Sequence, residues 1–308
     1  MDALAIQQIR QFNRTVTEGI GALDDRFLGR ARPLGEARLL WEIGPEGAEV
    51  RALRSRLGLD SGYVSRLLRS LQRQRLARVR VDPGDRRVRR ADLTRAGLAE
   101  RAELDRRAND LALHILEPLS EHHRAALVAA MTEVERLLQA SMVHFAVEDP
   151  TTPDARWCLE QYSAELDDRF DAGFDPALSI PADAHELVPP AGAFFIARLR
   201  ERPVGCGALK LHRDAPAELK RMWIAPAARG LGVGRRLLQE LERHAREAGA
   251  AVLRLETNHA LTEAIALYRR SGYLEVDAFN DEPYAHHWFE KRLSRNHRRR
   301  RSVARTAE

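Results

Sequence analysis

The sequence predicts a multidomain chain, with a mostly-α winged helix-turn-helix unit followed by an α/β unit with a mixed central sheet. Three observations predict it. Two short amphipathic segments meet at Gly58–Leu59–Asp60, and the second is rich in arginine. An alternating pair of strands around a tight turn follows at once. From Phe194 onward the rhythm changes to strand, glycine-rich turn, helix and strand, the order of a βαβ crossover. With 308 residues, 44% of them hydrophobic and 31% charged, the chain can bury two cores of ordinary size.

The same composition excludes several classes. No run approaches the roughly 18 consecutive apolar residues of a membrane-spanning helix. The start, MDALAIQQIRQFN, lacks a basic segment leading into an apolar one, so no secretory signal is expected. Cys158 and Cys206 are the two cysteines, each inside an apolar pattern, which argues for buried thiols rather than a disulfide framework or a zinc site. A cytoplasmic protein without a metal is the expectation. The formal charge of +5 is unevenly placed: residues 51–90 hold 13 Arg against Asp60, Asp82 and Asp85. Such a density repels itself unless a polyanion lies nearby.

Residues 4–27 and 34–43 carry apolar residues at helical spacing, and EVRALRSRLG (49–58) is a short amphipathic helix ending at Gly58. Asp60 or Ser61 can cap the next helix, SGYVSRLLRSLQRQRL (61–76), by accepting the free amides of its first turn. Leu67, Leu68 and Leu71 then face the core. Ser61, Gly62, Tyr63, Ser65, Arg66 and Arg69 face outward, where Arg can grip guanine edges and Ser or Tyr can reach phosphates. Strands 77–81 and 87–93 flank the turn Asp82–Pro83–Gly84–Asp85, a hairpin wing with Arg86 and Arg87 at its tip, placed to enter a minor groove.

This order of helix, helix-turn-helix, Asp/Arg-tipped wing and L-T-x-x-G (Leu93–Gly97) resembles the MarR family of winged-helix regulators over roughly residues 1–140. The resemblance implies binding of double-stranded DNA by a homodimer. Its terminal helices here are residues 1–28, 95–117 and 120–140, with Pro118 between the last two. The family often has Gly where the recognition helix ends; this chain has Gln74–Arg75–Leu76, so Arg75 is expected in a left-handed conformation. The helix at 125–140 runs into alternating Val143, Phe145 and Val147 without a Gly/Ser- or Pro-rich linker. The expected domains are therefore 1–140 and 142–293, with a basic, disordered tail at 294–308.

In the second domain FFIARL (194–199) and PVGCGALKLH (203–212) form a hairpin, and ELKRMWI (218–224) is a further strand. The turn Arg229–Gly230–Leu231–Gly232–Val233–Gly234 precedes a helix at 235–249 and a strand at 251–258. A helix at 261–272 and strands near 273–276 and 286–293 complete the unit. Glycines let main-chain amides approach a pyrophosphate, and a helix start adds partial positive charge. The turn lacks the Lys-Ser/Thr of a P-loop and departs from the G-x-G-x-x-G of dinucleotide folds.

R-x-x-G-x-G after ELKRMWI, Asn258 at the end of the next strand and A-L-Y-x-x-x-G-Y (Ala266–Tyr273) together resemble the GNAT acetyltransferase superfamily over about residues 142–293. The resemblance implies acetyl-CoA as acyl donor, held at its pyrophosphate by Arg229, Gly230, Gly232, Val233, Gly234 and Arg235. It implies that Met222, Trp223 and Ile224 offer backbone to the pantetheine arm, that Asn258 contacts the cofactor or anchors a splayed strand, and that Tyr268 is the general acid for the departing thiolate. Deprotonating a lysine-like amine at pH 7 costs about 4.6 kcal/mol, which calls for a base. Glu218, at the start of ELKRMWI, is the candidate. Residues 160–186 hold eight acidic residues against Arg169, a cover that would attract a cationic amine.

The reading is thus a DNA-binding regulator joined to an N-acetyltransferase for an amine acceptor. Two alternatives stay open: a regulator that only senses acetyl-CoA, and an enzyme whose winged helix serves only dimerisation.

Overall fold

The computed structural model describes residues 2–24, 26–82 and 84–293. Pro83 of the wing turn and the basic segment 294–308, expected to be disordered, lie outside the described residues. The chain divides into two compact units, Met1–Thr132 and Glu133–Glu308.

The first unit begins with α1 (Ala3–Gly19), which buries no residue; Leu4, Ile6, Ile9, Phe12 and Val16 all stay exposed. Then come α2 (Leu34–Ile43), β1 (Ala48–Glu49), α3 (Val50–Leu57) and α4 (Ser61–Arg73). Gly58, at φ 64° and ψ 30°, ends α3 in the left-handed conformation that lets the chain reverse. Asp60 caps α4: its Oδ1 accepts the Tyr63 amide at 2.9 Å. Val64, Leu67, Leu68 and Leu71 line the buried side of α4, packing with Leu39, Leu40, Leu53 and Leu104.

Arg75 sits at φ 59°, as its place at the helix end predicts, at a cost of about 1–2 kcal/mol relative to glycine. The turn leads into the antiparallel wing of β2 (Ala77–Val81) and β3 (Arg89–Leu93), with β1 on the far side of β3. Thr94 closes this corner. Its hydroxyl donates to the Arg75 carbonyl at 2.7 Å and accepts the Gly97 amide at 3.0 Å, capping α5 (Arg95–Leu116). A Cβ on Gly97 would stand 2.0 Å from the Leu76 carbonyl oxygen, the physical reason for glycine in L-T-x-x-G. α6 (Glu121–Ser141) follows, after the break at Pro118.

A buried ion cluster ties the segment before α2 to α5. Glu100 accepts from Arg30 at 2.5 Å and from Arg32 at 3.0 Å, and Arg32 is 8% exposed. Hydrogen bonding to Arg30 dominates, and burial is outweighed, so the Glu100 carboxyl titrates below its usual value of 4.5. Glu100→Ala leaves the buried Arg32 with only Gln74 at 3.1 Å and Glu36 at 3.9 Å and is expected to cost about 3 kcal/mol, measured by urea unfolding with amide exchange read over residues 34–104. A depressed pKa means this stabilisation is complete above pH 4.5 and lost as pH falls through the folded value. The deficit of the variant must therefore shrink in acid.

The second unit is built on a sheet of β4 (Val143–Val147), β5 (Gly192–Leu199), β6 (Arg202–Lys210), β7 (Ala217–Ile224), β8 (Val252–Thr257), β10 (His287–Arg292) and β9 (Leu274–Val276), in that spatial order. β7 and β8 are parallel and the other pairings antiparallel, so the sheet is mixed. Alternate residues of β5 face opposite cores, as the two-residue period of a strand requires. Phe194 and Ile196 pack with Cys158 of α7 (Pro153–Arg169). Ala193 and Phe195 share a core with Leu237, Leu238 and Leu241 of α8 (Val233–Glu247) and with Ile265 and Tyr268 of α9 (Thr262–Arg270). Cys158 and Cys206 are free and buried. No helix among the described residues is long and apolar enough to cross a membrane.

Candidate functional site

In the first unit the exposed side of α4 carries Ser61, Gly62, Tyr63, Arg66 and Arg69, with Ser65 half-buried beside them. The Arg66 guanidinium lies 5.4 Å from the Tyr63 ring centroid, which braces it against the helix. In the wing, Asp82 Oδ1 accepts the Gly84 amide and Asp85 Oδ1 the Arg87 amide, each at 2.8 Å. These Asx turns hold Arg86 and Arg87 outward and exposed. Among the described residues none of Arg66, Arg69, Arg86 and Arg87 has an ion-pair partner, so their charge is available to an external anion.

In the second unit the site grows from a defect in the sheet. β7 and β8 pair only at Ala217 with Leu253 and Glu218 with Arg254, and then part. β7 also bulges: its register against β6 shifts between Cys206 and Ala208, and Arg221 adopts φ 52°. Two cavities flank this opening. One, of about 130 Å³, is lined by Tyr162, Phe174, Arg221, Glu256, Asn258 and Tyr284 among others. The second is a cleft whose walls include Trp223, Ile224, Arg229, Gly230, Gly232 and Arg235. Tyr162, Leu166, Met222 and Tyr268 line both.

The cleft ends at the glycine turn. Gly230 and Gly232 both stand at φ 73°, a conformation that strains other residues. The result is a run of unused donors. Among the described residues the amides of Gly230, Leu231, Gly232, Val233, Gly234 and Arg235 have no acceptor, and the first helical bond is Arg236 N–H to the Gly232 carbonyl at 3.1 Å. Free amides at a helix start suit a diphosphate, so the residues present fit a CoA ligand. Arg229 supports the turn: it donates to the Ile224 carbonyl at 2.9 Å and pairs with Glu165, which also accepts from Trp223 Nε1 at 2.8 Å. Arg236 anchors the other side through the Ala140 and Val143 carbonyls.

Tyr268 is buried where the cavities meet, its hydroxyl 4.0 Å from Met222 Sδ. Burial raises its pKa, so the phenol remains an O–H donor across the neutral range. Asn258 uses its side chain within the protein, donating to the Tyr284 carbonyl at 2.8 Å and accepting the Ala260 amide at 2.9 Å. Of its two expected roles, anchoring the strand end is the one this geometry serves.

The expected base stands elsewhere. Glu218 is outside both cavity linings, and its oxygens meet Arg254 at 2.7 Å and Lys220 at 3.3 Å. Burial alone would raise its pKa, but Arg254 and Lys220 outweigh it and hold the carboxyl below its usual value, a poor setting for taking a proton. The reason is the pairing with β8: Glu218 lies in the last paired rung, before the strands part. Glu256, which sequence reasoning missed, does line the cavity. Its side chain is 8% exposed; Oε1 pairs with Lys220, and Oε2 is buried with no partner among the described residues. The signal available was its place two residues before Asn258 on the strand that leaves β7.

The acidic cover is likewise turned away. From residues 160–186 the smaller cavity takes Tyr162, Leu166, Phe170, Phe174 and Ile180 and none of the eight acidic residues; only Glu165 lines the cleft, where it is spent on Arg229 and Trp223. Asp167 Oδ1 accepts the Phe174 amide at 3.0 Å, Asp175 Oδ1 that of Ala177 at 2.9 Å, and Glu186 pairs with Lys210 at 2.8 Å. These carboxylates shape loops.

Comparison with known proteins fits both units. The acetyltransferase (GNAT) family pattern matches residues 155–273, and the MarR family pattern matches residues 31–88. An IAA acetyltransferase of Azospirillum brasilense is 36% identical over 143 residues, 46% of this chain and 90% of the relative. The uncharacterized N-acetyltransferase YjgM of Escherichia coli K12 is 31% identical over 125 residues, 39% of this chain and 74% of the relative. The N-alpha-acetyltransferase RimI of Mycobacterium tuberculosis is 36% identical over 129 residues, 41% of this chain and 76% of the relative.

Proposed function

The chain belongs to the GNAT acetyltransferase family and carries a MarR-family winged helix ahead of it, and from this premise we propose a bifunctional cytoplasmic protein. One part binds double-stranded DNA as a homodimer; the other passes acetyl from acetyl-CoA directly to an amine. The observation that carries the second half is the shared wall of the two cavities at Tyr162, Leu166, Met222 and Tyr268, with six unused amides at the far end of one.

Acetyl-CoA supplies an acyl thioester activated toward nucleophiles. The main chain from Gly230 to Arg235 binds its diphosphate, and the opened edge of β7 at Met222, Trp223 and Ile224 aligns the arm. Glu256 Oε2 takes a proton from the bound ammonium. The amine nitrogen then forms the new N–C bond as the C–S bond breaks, and the electron pair leaves on sulfur. Tyr268 gives its proton to that sulfur and recovers one from the amine side. The balance is one N-acetyl product, one free thiol and one proton released to solvent. Initial-rate kinetics with acetyl-CoA and an accepted amine test direct transfer. Intersecting double-reciprocal lines and no acetylated protein are expected; parallel lines with a trapped acetyl-protein would overturn it.

The DNA half rests on the unpaired arginines of α4 and the wing. Contact with about six phosphates gives a slope near −5 for log affinity against log salt. Arg66→Ala together with Arg69→Ala should flatten that slope by about 2. A gel shift or anisotropy titration from low to high salt measures both, and a flat response in the unaltered protein would remove DNA from the reading. The unburied apolar residues of α1 supply the surface for the second copy.

A further inference from the structure

We propose that the acceptor is a small amphipathic amine that also bears a carboxylate, an α-amino acid with an apolar or aromatic side chain being the simplest member. The proposal rests on the acetyl-transfer reading and assigns its second substrate.

Three observations at the smaller cavity converge. Its apolar wall is one continuous aromatic surface: Phe174 and Tyr284 rings lie 5.0 Å apart, Phe170 and Tyr284 5.7 Å, and Phe170 and Phe174 5.9 Å. Such a wall binds a flat or bulky apolar group by area and edge-to-face contact. Next, Arg221 lines the cavity, and among the described residues its guanidinium has neither an ion pair nor a hydrogen bond. It stands at the β7 bulge with φ 52°, a conformation that costs an L-residue about 1–2 kcal/mol. The third is Glu256 Oε2, buried and unpartnered in the same wall.

The remaining charges of the cavity are answered within the protein. Lys220 sits between Glu218 and Glu256. Glu282 accepts from Ser179 Oγ at 2.9 Å and from the Ile180 amide at 2.7 Å, and it also receives the Tyr284 amide at 3.4 Å. One cation, Arg221, is left without a partner in the lining of a cavity of about 130 Å³, and one carboxylate oxygen, Glu256 Oε2, lies buried and unpartnered in the same wall. A ligand with an ammonium and a carboxylate close together satisfies both, the carboxylate on the fork of Arg221 and the nitrogen beside Glu256. A polyamine would satisfy Glu256 alone and set like charge against Arg221. A chain N-terminus or a lysine side chain also lacks the adjacent carboxylate. The cationic acceptor suggested by the acidic stretch 160–186 thus has no counterpart in the cavity wall.

The test uses the full-length protein, acetyl-CoA and thiol release, with L-phenylalanine and L-methionine set beside L-phenylalaninamide, phenethylamine, spermidine and a lysine-containing peptide. The free amino acids are expected to exceed their amide and decarboxylated analogues in kcat/KM by at least about tenfold. Arg221→Met should remove that preference by lowering kcat/KM for the amino acids about tenfold or more, while phenethylamine changes less than about threefold; Arg221→Lys should restore part of it. Equal or better use of the amide or of spermidine by the unaltered protein overturns the proposal and leaves the acetyltransferase standing. So does an Arg221→Met loss that is the same for acid and amine. Thiol release separates the two levels. Turnover of other amines but not of the amino acids overturns the substrate class alone, whereas turnover of no amine, with acetyl-CoA bound or not, overturns the transfer reading itself.

Discussion

Tyr268→Phe is expected to lower kcat about 10²- to 10³-fold while leaving the Kd for CoA within about twofold. The two sides of this result have separate physical origins. In the proposed binding mode the diphosphate rests on the unused amides of the glycine turn, which the substitution does not touch. What disappears is one hydroxyl, in a wall common to both cavities, that burial keeps protonated. The ring itself stays, packed against Tyr273 at 5.8 Å and Phe289 at 6.0 Å, so the core is not hollowed. A sulfur that must leave as a bare thiolate slows bond cleavage, and an acyl donor with a more acidic thiol should recover much of the loss. Calorimetry for CoA and steady-state rates with both donors give the answer. A kcat within threefold of the unaltered protein would remove Tyr268 from the chemistry.

The second large effect is at Glu256. Glu256→Gln keeps the size of the side chain and an acceptor for Lys220 but removes the base, and kcat/KM is expected to fall about 10²- to 10³-fold near neutral pH. The pH profile distinguishes a base from a merely structural carboxylate. In the variant only amine already deprotonated in solution can react, so the rate should climb about tenfold per pH unit until the amine's own pKa is reached. A uniform loss at all pH values would instead mean that Glu256 only neutralises Lys220.

Much of this molecule was legible before its coordinates. The period-2 and period-3.6 patterns located α2, α4, β2 and the strands of the second unit within a few residues, because each buries one face and must repeat accordingly. Asp60 and Arg75 announced their conformations through local rules of capping and helix ending. The glycine turn was legible for a similar reason: positive φ at Gly230 and Gly232 is a property of a residue and its neighbours.

The acceptor side was not legible, and the cause is geometric. Which carboxylate of β7 or β8 meets the cavity depends on where two strands separate, and that is decided by pairing between residues some 36 apart in the chain. Glu218 and Glu256 look alike as letters, yet only one lies past the parting. The acidic residues of 160–186 misled for the same reason: helix α7 turns Tyr162 and Leu166 inward, and charge counted along a sequence says nothing about direction.

The parting of β7 from β8 also means that this sheet has a rim in its middle. Strand edges normally occur at the flanks, where loose amides and carbonyls invite another chain to add itself. Here such an edge is enclosed, beside a helix start that draws negative charge. An extended guest with amide groups of its own can complete the interrupted ladder as a borrowed rung.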